Sequence, residues 1–160
     1  MKRIFPLIIF SMLTLILYQC DNSDSLIDDN SRRVKEHLIE ITDSIKYKQN
    51  GTISFYKITH FEWDTLYIFT PYTSTSEIDK RLGFHWKDAE KTSVLNDEIS
   101  NLLVFTKERE VIAFFDYPRY EGDFINIEPK TFSKNDARFK LKEEKNGIQK
   151  KLFFYSLVDQ

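Results

Sequence analysis

Cysteine is almost absent from this chain of 160 residues, and Cys20 is its only thiol. A single cysteine excludes a disulfide framework and any zinc site built from several cysteines. The chain has only four glycines and four prolines, which excludes collagen-like and low-complexity sequences and leaves too few glycines for a phosphate-binding loop. Its charges nearly cancel, with 23 basic and 25 acidic residues, so a broad basic face for nucleic acid is not expected.

The chain is instead rich in apolar and aromatic residues. Apolar types make up 41% of the sequence and aromatic types 15%, with 14 Phe and 8 Tyr. This composition is too apolar for a disordered chain, and the length suits one domain. We therefore expect a single folded unit with a substantial core.

The N-terminal segment has three parts, in the order typical of an export signal. Lys2 and Arg3 supply positive charge, and a mainly apolar run of about 15 residues follows over 4–18. This run is shorter than the roughly 20 residues that cross a bilayer comfortably. Immediately after Cys20 the sequence turns polar, over residues 21–24.

The box Leu17-Tyr18-Gln19-Cys20 resembles the Leu-x-x-Cys box of bacterial lipoproteins. Leu17 and Cys20 match that box, whereas Tyr18 and Gln19 stand where small residues are usual. The resemblance implies that lipid is attached to Cys20, that residues 1–19 are removed, and that the domain lies outside the cytoplasm in the cell envelope. The only thiol would then carry lipid, so cysteine catalysis is not expected. The alternative is an uncleaved N-terminal membrane helix with an incidental cysteine.

A short acidic stretch follows the expected lipid site. Residues 20–30 contain four aspartates and no basic residue, and we expect them to form a solvated tether. From residue 31 onward there are 21 basic and 21 acidic residues, so the folded part is neutral. The predicted organisation is a signal peptide over 1–19, the lipidated cysteine and tether over 20–30, and one globular domain over 31–160.

An apolar stripe at helical spacing comes next and predicts a helix over 32–48. Ser31 is expected to cap the start of this helix, and Gly51 to follow its end. Because only one face is apolar, the helix must pack on the rest of the domain. The stripe consists of Val34, Leu38, Ile41 and Ile45.

Most of the remaining sequence has the alternation and the aromatic content of strands. The clearest hairpin joins 99–107 to 110–117 through a charged turn, and a short helix over 77–82 is capped by Ser74 and closed by Gly83. Further predicted elements are strands over 52–59, 61–72, 124–127 and 151–158, and a helical turn over 134–139 that Ser133 begins. This order favours the α+β class, with a mainly antiparallel sheet of about five to six strands and the N-terminal helix packed on one face.

The most distinctive strand carries the pattern Trp63-Asp64-x-x-Tyr67-x-Phe69-x-Pro71-Tyr72. This pattern is similar to one in small bacterial lipoproteins of uncharacterised function, and the resemblance implies no activity. Alternation places Trp63 and Tyr67 on one face of the strand and Asp64 on the other. A buried Asp64 needs a cation, and Arg119, held after Pro118, is the predicted partner. The candidate partner-binding or structural residues are Trp63, Asp64, Tyr67, Tyr72 and Arg119.

Signatures of catalysis and of metal binding are sparse. The three histidines form no metal-binding spacing, and no serine-nucleophile motif is present. An envelope hydrolase with a non-standard site near His60, Asp64 and His85 is the alternative, if the fold brings those side chains together. We otherwise expect no catalytic residue, no metal and no cofactor.

Basic residues are concentrated over 130–151, which holds eight basic and three acidic residues. A charged hairpin is the ordinary interpretation, and a surface that faces anionic lipid or an acidic partner is the functional one. The sequence as a whole favours a non-catalytic envelope lipoprotein of the inhibitor or immunity type. We expect it to contact the membrane through the lipid on Cys20 and to bind an envelope protein rather than nucleic acid.

Overall fold

The computed structural model describes the backbone of residues 5–48, 51–146 and 149–158, and the side chains of 23–46, 51–145 and 150–158. Within these residues the chain forms three α-helices, two 3₁₀ helices and seven strands. The strands make two antiparallel sheets, one of three strands and one of four. The predicted α+β class is confirmed, and the strands are divided between two sheets.

The strands are β1 Thr52–Ser54, β2 Thr65–Phe69, β3 Ser100–Lys107, β4 Glu110–Pro118, β5 Thr131–Ser133, β6 Arg138–Asn146 and β7 Gln149–Ser156. The smaller sheet has the order β1-β6-β7 and the larger one the order β4-β3-β2-β5. Two hairpins supply most of the pairing, β3 with β4 and β6 with β7. The first of these hairpins is the one that the sequence predicts most clearly.

Helix α1 (Phe5–Lys48) is longer than predicted, and the prediction that Ser31 caps its start is wrong. Residues 21–30, which directly precede Ser31, contain neither glycine nor proline, so nothing in them stops a helix. The side chains at this point bind the exposed edge of β4 instead: Asn30 Nδ2 donates to the Ile112 carbonyl at 3.1 Å, and Ser31 Oγ accepts from the Phe114 N–H at 2.9 Å. The helix therefore covers the edge strand of the larger sheet.

The predicted strand over 61–72 is observed only as β2 (Thr65–Phe69), and three other predicted elements differ from the observed ones. The strand over 52–59 ends at Ser54 and is followed by the short helix α2 (Phe55–Ile58), because Phe55 and Ile58, three residues apart, both turn into the core. Residues 124–127, predicted as a strand, form a turn in which the Ile127 N–H donates to the Phe124 carbonyl. The turn that Ser133 begins is present, but it is shorter than predicted because β6 already begins at Arg138.

Helix α3 (Thr75–Leu82) follows its prediction closely. Ser74 Oγ accepts from the Glu77 N–H, and Gly83 ends the helix in the left-handed region at φ 77°. Glycine adopts that conformation without strain, which is why it closes helices so often.

The core has two parts, which lie on opposite faces of the larger sheet. Burial of each large side chain in them contributes roughly 1.5–3 kcal/mol. The first part joins α1 to both sheets and includes Val34, Leu38, Phe105, Phe115, Phe139 and Phe154. The second lies under α3 and the 3₁₀ helices and includes Phe69, Ile78, Trp86, Val94 and Leu102.

Candidate functional site

Trp63 belongs to the core. Its side chain is 1% exposed, and its indole Nε1 donates to Thr59 Oγ1 at 2.9 Å. The prediction that Trp63 shares a face with Tyr67 is wrong, because β2 begins at Thr65 and Trp63 lies outside its alternation. Trp63 packs instead in the cluster that holds Leu66.

The predicted pairing of Asp64 with Arg119 is also wrong. Asp64 is exposed and accepts a hydrogen bond from the Glu108 N–H at 2.8 Å, at the turn between β3 and β4. Arg119 follows the opposite end of that hairpin and pairs with Asp123 at 2.7 Å. Since β3 has eight residues, the two side chains are about 23 Å apart along the strand.

The two candidate tyrosines occupy different environments. Tyr67 is half-buried, and its ring stacks on Phe69 at a centroid distance of 6.4 Å. Tyr72 is 65% exposed and has a left-handed backbone, with φ 64°. The five residues selected from the sequence therefore do not form a common surface.

The side chains of the alternative hydrolase site have separate partners. His60 stacks on His37 with ring centroids 5.9 Å apart, and His85 Nδ1 lies 2.6 Å from Asp79 Oδ2. The Asp64 carboxylate accepts from the Glu108 N–H at the turn between β3 and β4. In the part of the chain that the structure describes, no three histidine, cysteine or acidic side chains converge as metal ligands.

The smaller sheet presents a basic outer face that the sequence did not identify. Along β6 and β7 the side chains alternate between the core and solvent, so the residues between the buried ones share the outer side. That side carries four basic residues, one acidic residue and two aromatic rings. We call it the basic sheet face: Arg138, Lys140, Lys142, Glu144, Lys151, Phe153 and Tyr155.

Cations and rings are interleaved across this face. The Lys142 ammonium lies 4.9 Å from the centroid of the Tyr155 ring, and the Lys151 ammonium lies 5.2 Å from that of Phe153. The Tyr155 hydroxyl donates to Glu144, which raises the pKa of Tyr155. The rings thus hold two of the lysine side chains in place on the face.

A buried carboxylate fixes the edge of the basic sheet face. Asp123 is fully buried. Its Oδ2 forms ion pairs with Arg119 Nη2 and with the Lys151 ammonium, each at 2.7 Å. Its Oδ1 accepts from the Ile125 N–H at 3.1 Å and from Asn101 Nδ2 at 3.4 Å. Every side of this carboxylate has a donor, so its burial is compensated.

The charge state of Asp123 follows from these contacts. Burial by itself raises the pKa of this carboxyl, but the hydrogen bonds from Arg119 and Lys151 outweigh it and hold the pKa below its ordinary value. Asp123 is therefore ionised, and one carboxylate is shared by two cations.

The loop that carries Asp123 is tied to both sheets. The Arg119 N–H donates to the Ile99 carbonyl at 2.8 Å, and the Asp123 N–H donates to the Leu152 carbonyl at 2.9 Å. Gly122 packs so closely on the Phe154 ring that a Cβ there would lie 2.4 Å from it. The loop is thereby held in one position.

Tyr120 projects from this fixed loop. Its side chain is 73% exposed and contacts no described residue through a ring or a side-chain hydrogen bond. Beside it lies Ile99, which is 63% exposed. The two residues line a depression of about 490 Å³, which we call the edge groove: Glu98, Ile99, Arg119, Tyr120, Lys150 and Lys151.

Sequence reasoning noted the excess of basic residues over 130–151 but missed the surface that it forms. The alternation of Arg138, Lys140 and Lys142 with apolar residues was the available sign. It did not reveal that β7 lies beside β6 with its rings on the same side. Asp123 lies near Arg119 in the sequence and was expected in a solvated loop; its burial was not predicted, because it depends on Lys151, which lies 28 residues further along the chain.

Comparison with protein families, curated proteins and solved structures gave no match to this chain. Among the described residues, no helix combines the length and the hydropathy that a membrane span requires. The side chain of Cys20, the expected lipid site, lies outside the described side chains.

Proposed function

We propose that this chain is a lipid-anchored protein of the bacterial cell envelope, attached through Cys20, that binds a partner protein through the basic sheet face. It acts as a binding module of the inhibitor or immunity type and performs no chemistry of its own. The anchor is supported by the box Leu17–Cys20 and by the polar break that follows it.

The basic sheet face is the observation that carries the proposal. A sheet face that is not covered by a helix usually carries mixed polar residues, whereas this one concentrates four basic side chains and two half-buried rings. Tyrosine and arginine, both present on this face, are among the residue types that contribute most to protein interfaces. The fixed loop adds Tyr120 at the edge, so the surface needs little rearrangement before it binds.

Site-specific photocrosslinking in intact cells tests this proposal. A benzoylphenylalanine at position 153 replaces one aromatic ring of the face by another, and the same residue at position 56 serves as the matched control. Tyr56 is 59% exposed and lies outside the basic sheet face. We expect a discrete protein adduct from position 153 and none from position 56. Equal adducts from both positions, or none from position 153, would contradict the proposal.

A further inference from the structure

The basic sheet face has more positive charge than its surroundings neutralise. Arg138, Lys140 and Lys142 make no ion pair with any residue that the structure describes. Lys151 shares the single carboxylate of Asp123 with Arg119. With Glu144 counted as well, the face keeps an excess of cations, and electrostatic complementarity favours an anionic occupant.

The spacing of these cations indicates the shape of that occupant. Arg138, Lys140 and Lys142 alternate along β6, so their Cα atoms repeat every ~6.7 Å. An extended polypeptide places every second side chain on one side with the same repeat. Resting on the proposed function, we propose that the basic sheet face binds an acidic segment of the partner protein in an extended conformation, with carboxylates at alternate positions.

A nucleic acid fits this face less well. Single strands bind proteins by stacking their bases on open aromatic rings. Here the two rings of the face are each covered by an ammonium group, that of Lys142 on Tyr155 and that of Lys151 on Phe153. The rings serve to hold cations, and cations held in this way pair with carboxylates.

The anchoring membrane is also a poor occupant. Ile45 lines a depression together with Lys140 and Lys142, so β6, the strand that carries most of the basic sheet face, lies near the C-terminal end of α1. Ser23, three residues after the expected lipid site, is about 33 Å back along the helix. With α1 directed away from the membrane, that separation exceeds the Debye length of about 8 Å several times over, and the headgroups around the anchor do not reach the face.

The edge groove gives the acidic segment a place for an apolar side chain. Tyr120 and Ile99 are both exposed there, next to Arg119 and Lys151. A ring or aliphatic side chain of the partner that covers Tyr120 buries area on a fixed loop at little entropic cost. We therefore expect the segment to combine alternating carboxylates with one apolar residue at its end.

Peptide binding to the purified full chain in neutral detergent tests the inference. The probe is a fluorescein-labelled peptide of four Thr-Glu repeats followed by Leu, and its affinity is measured by fluorescence anisotropy. Introducing Lys140→Gln together with Lys142→Gln removes two surface ion pairs between the protein and glutamates of the probe. The double change should therefore weaken binding about tenfold. The matched control combines Lys80→Gln and Lys87→Gln, two exposed lysines on the side of the larger sheet. This control should bind the probe as the unmodified chain does.

Three comparison ligands separate the alternatives. A peptide with four contiguous glutamates and four contiguous threonines has the same charge, and it should bind more weakly than the alternating one. Equal affinity for the two peptides would overturn the extended register. Tighter binding to phosphatidylglycerol vesicles or to oligo-dT than to the alternating peptide would overturn the polypeptide occupant.

Failure of this inference is distinct from failure of the proposed function. If position 153 crosslinks to a protein in cells but the acidic peptides do not bind, the acidic segment is overturned and the binding function stands. If position 153 gives no adduct, the proposed function itself is contradicted. Circular dichroism of each variant checks that it is folded.

Discussion

Lys151 on β7 places its ammonium group 2.7 Å from the buried carboxylate of Asp123, which lies in the loop after β4. The same ammonium lies 5.2 Å from the centre of the Phe153 ring. One side chain thus joins the basic sheet face to the loop that carries Tyr120. Changes at Asp123 should consequently affect both stability and binding.

Asp123→Asn should destabilise the fold by about 3 kcal/mol, because it removes the carboxylate shared by two cations. The side chains of Arg119 and Lys151 are only 22% and 43% exposed, so neither regains full hydration. Denaturant unfolding of the full chain in neutral detergent measures the loss.

The control for this prediction is Asp88→Asn, which removes an exposed ion pair with Lys91. Exposed pairs of this kind contribute roughly 0–1 kcal/mol. A loss at Asp123 no larger than the loss at Asp88 would show that the buried cluster does not support the fold.

The contribution of Asp123 should also depend on pH. Its pKa in the folded protein lies below the unfolded value of about 3.9. The stabilisation is therefore complete well above pH 4 and is lost as the pH falls through the folded-state pKa. Unfolding measured at pH 7, 5, 4 and 3 should show a constant difference between the unmodified chain and Asp123→Asn at the two higher values, and a shrinking one below. A difference that grows in acid would contradict the assignment.

Double-mutant cycles should distinguish the observed partner of Arg119 from the one that the sequence suggested. Arg119→Gln and Asp123→Asn remove two ends of one contact, so their combined loss should be smaller than the sum of the single losses. Arg119→Gln and Asp64→Asn act at opposite ends of the hairpin and should be additive within about 0.5 kcal/mol. Coupling in the second cycle, without coupling in the first, would refute the observed pairing.

Elements fixed by neighbours in the chain could be predicted from the sequence. The caps of α3 depend on Ser74 and Gly83, which lie next to the helix itself. The hairpin of β3 and β4 depends on a short turn between two apolar runs. In both places the conformation that the local sequence prefers is also the one that the tertiary contacts require.

Features that depend on distant contacts could not be predicted in this way. The sequence around Phe55 is typical of a strand, yet Phe55 begins helix α2. It does so because its ring packs against both Phe105 and Phe139 in the core. Asp64 and Trp63 were placed on faces of a strand that begins only at Thr65. The basic sheet face needs the register of β6 on β7, which the composition of 130–151 does not contain.

Cys20→Ser should release the protein from the membrane fraction. A serine has no thiol to accept lipid, and the chain lacks any other cysteine. Metabolic labelling with palmitate and fractionation of cells measure this, with the unmodified chain as the reference. Continued membrane association at unchanged apparent mass would show that the N-terminal segment is an uncleaved membrane helix.

The central claim is that the cations of the basic sheet face hold a protein partner. Its most direct test is the yield of the photocrosslinked adduct from position 153 in intact cells, compared between variants. The yield should fall about tenfold when Lys140→Gln and Lys142→Gln are introduced together, since two charge contacts are lost. It should stay unchanged with Lys80→Gln and Lys87→Gln. An adduct whose yield is the same in both variants would contradict the claim.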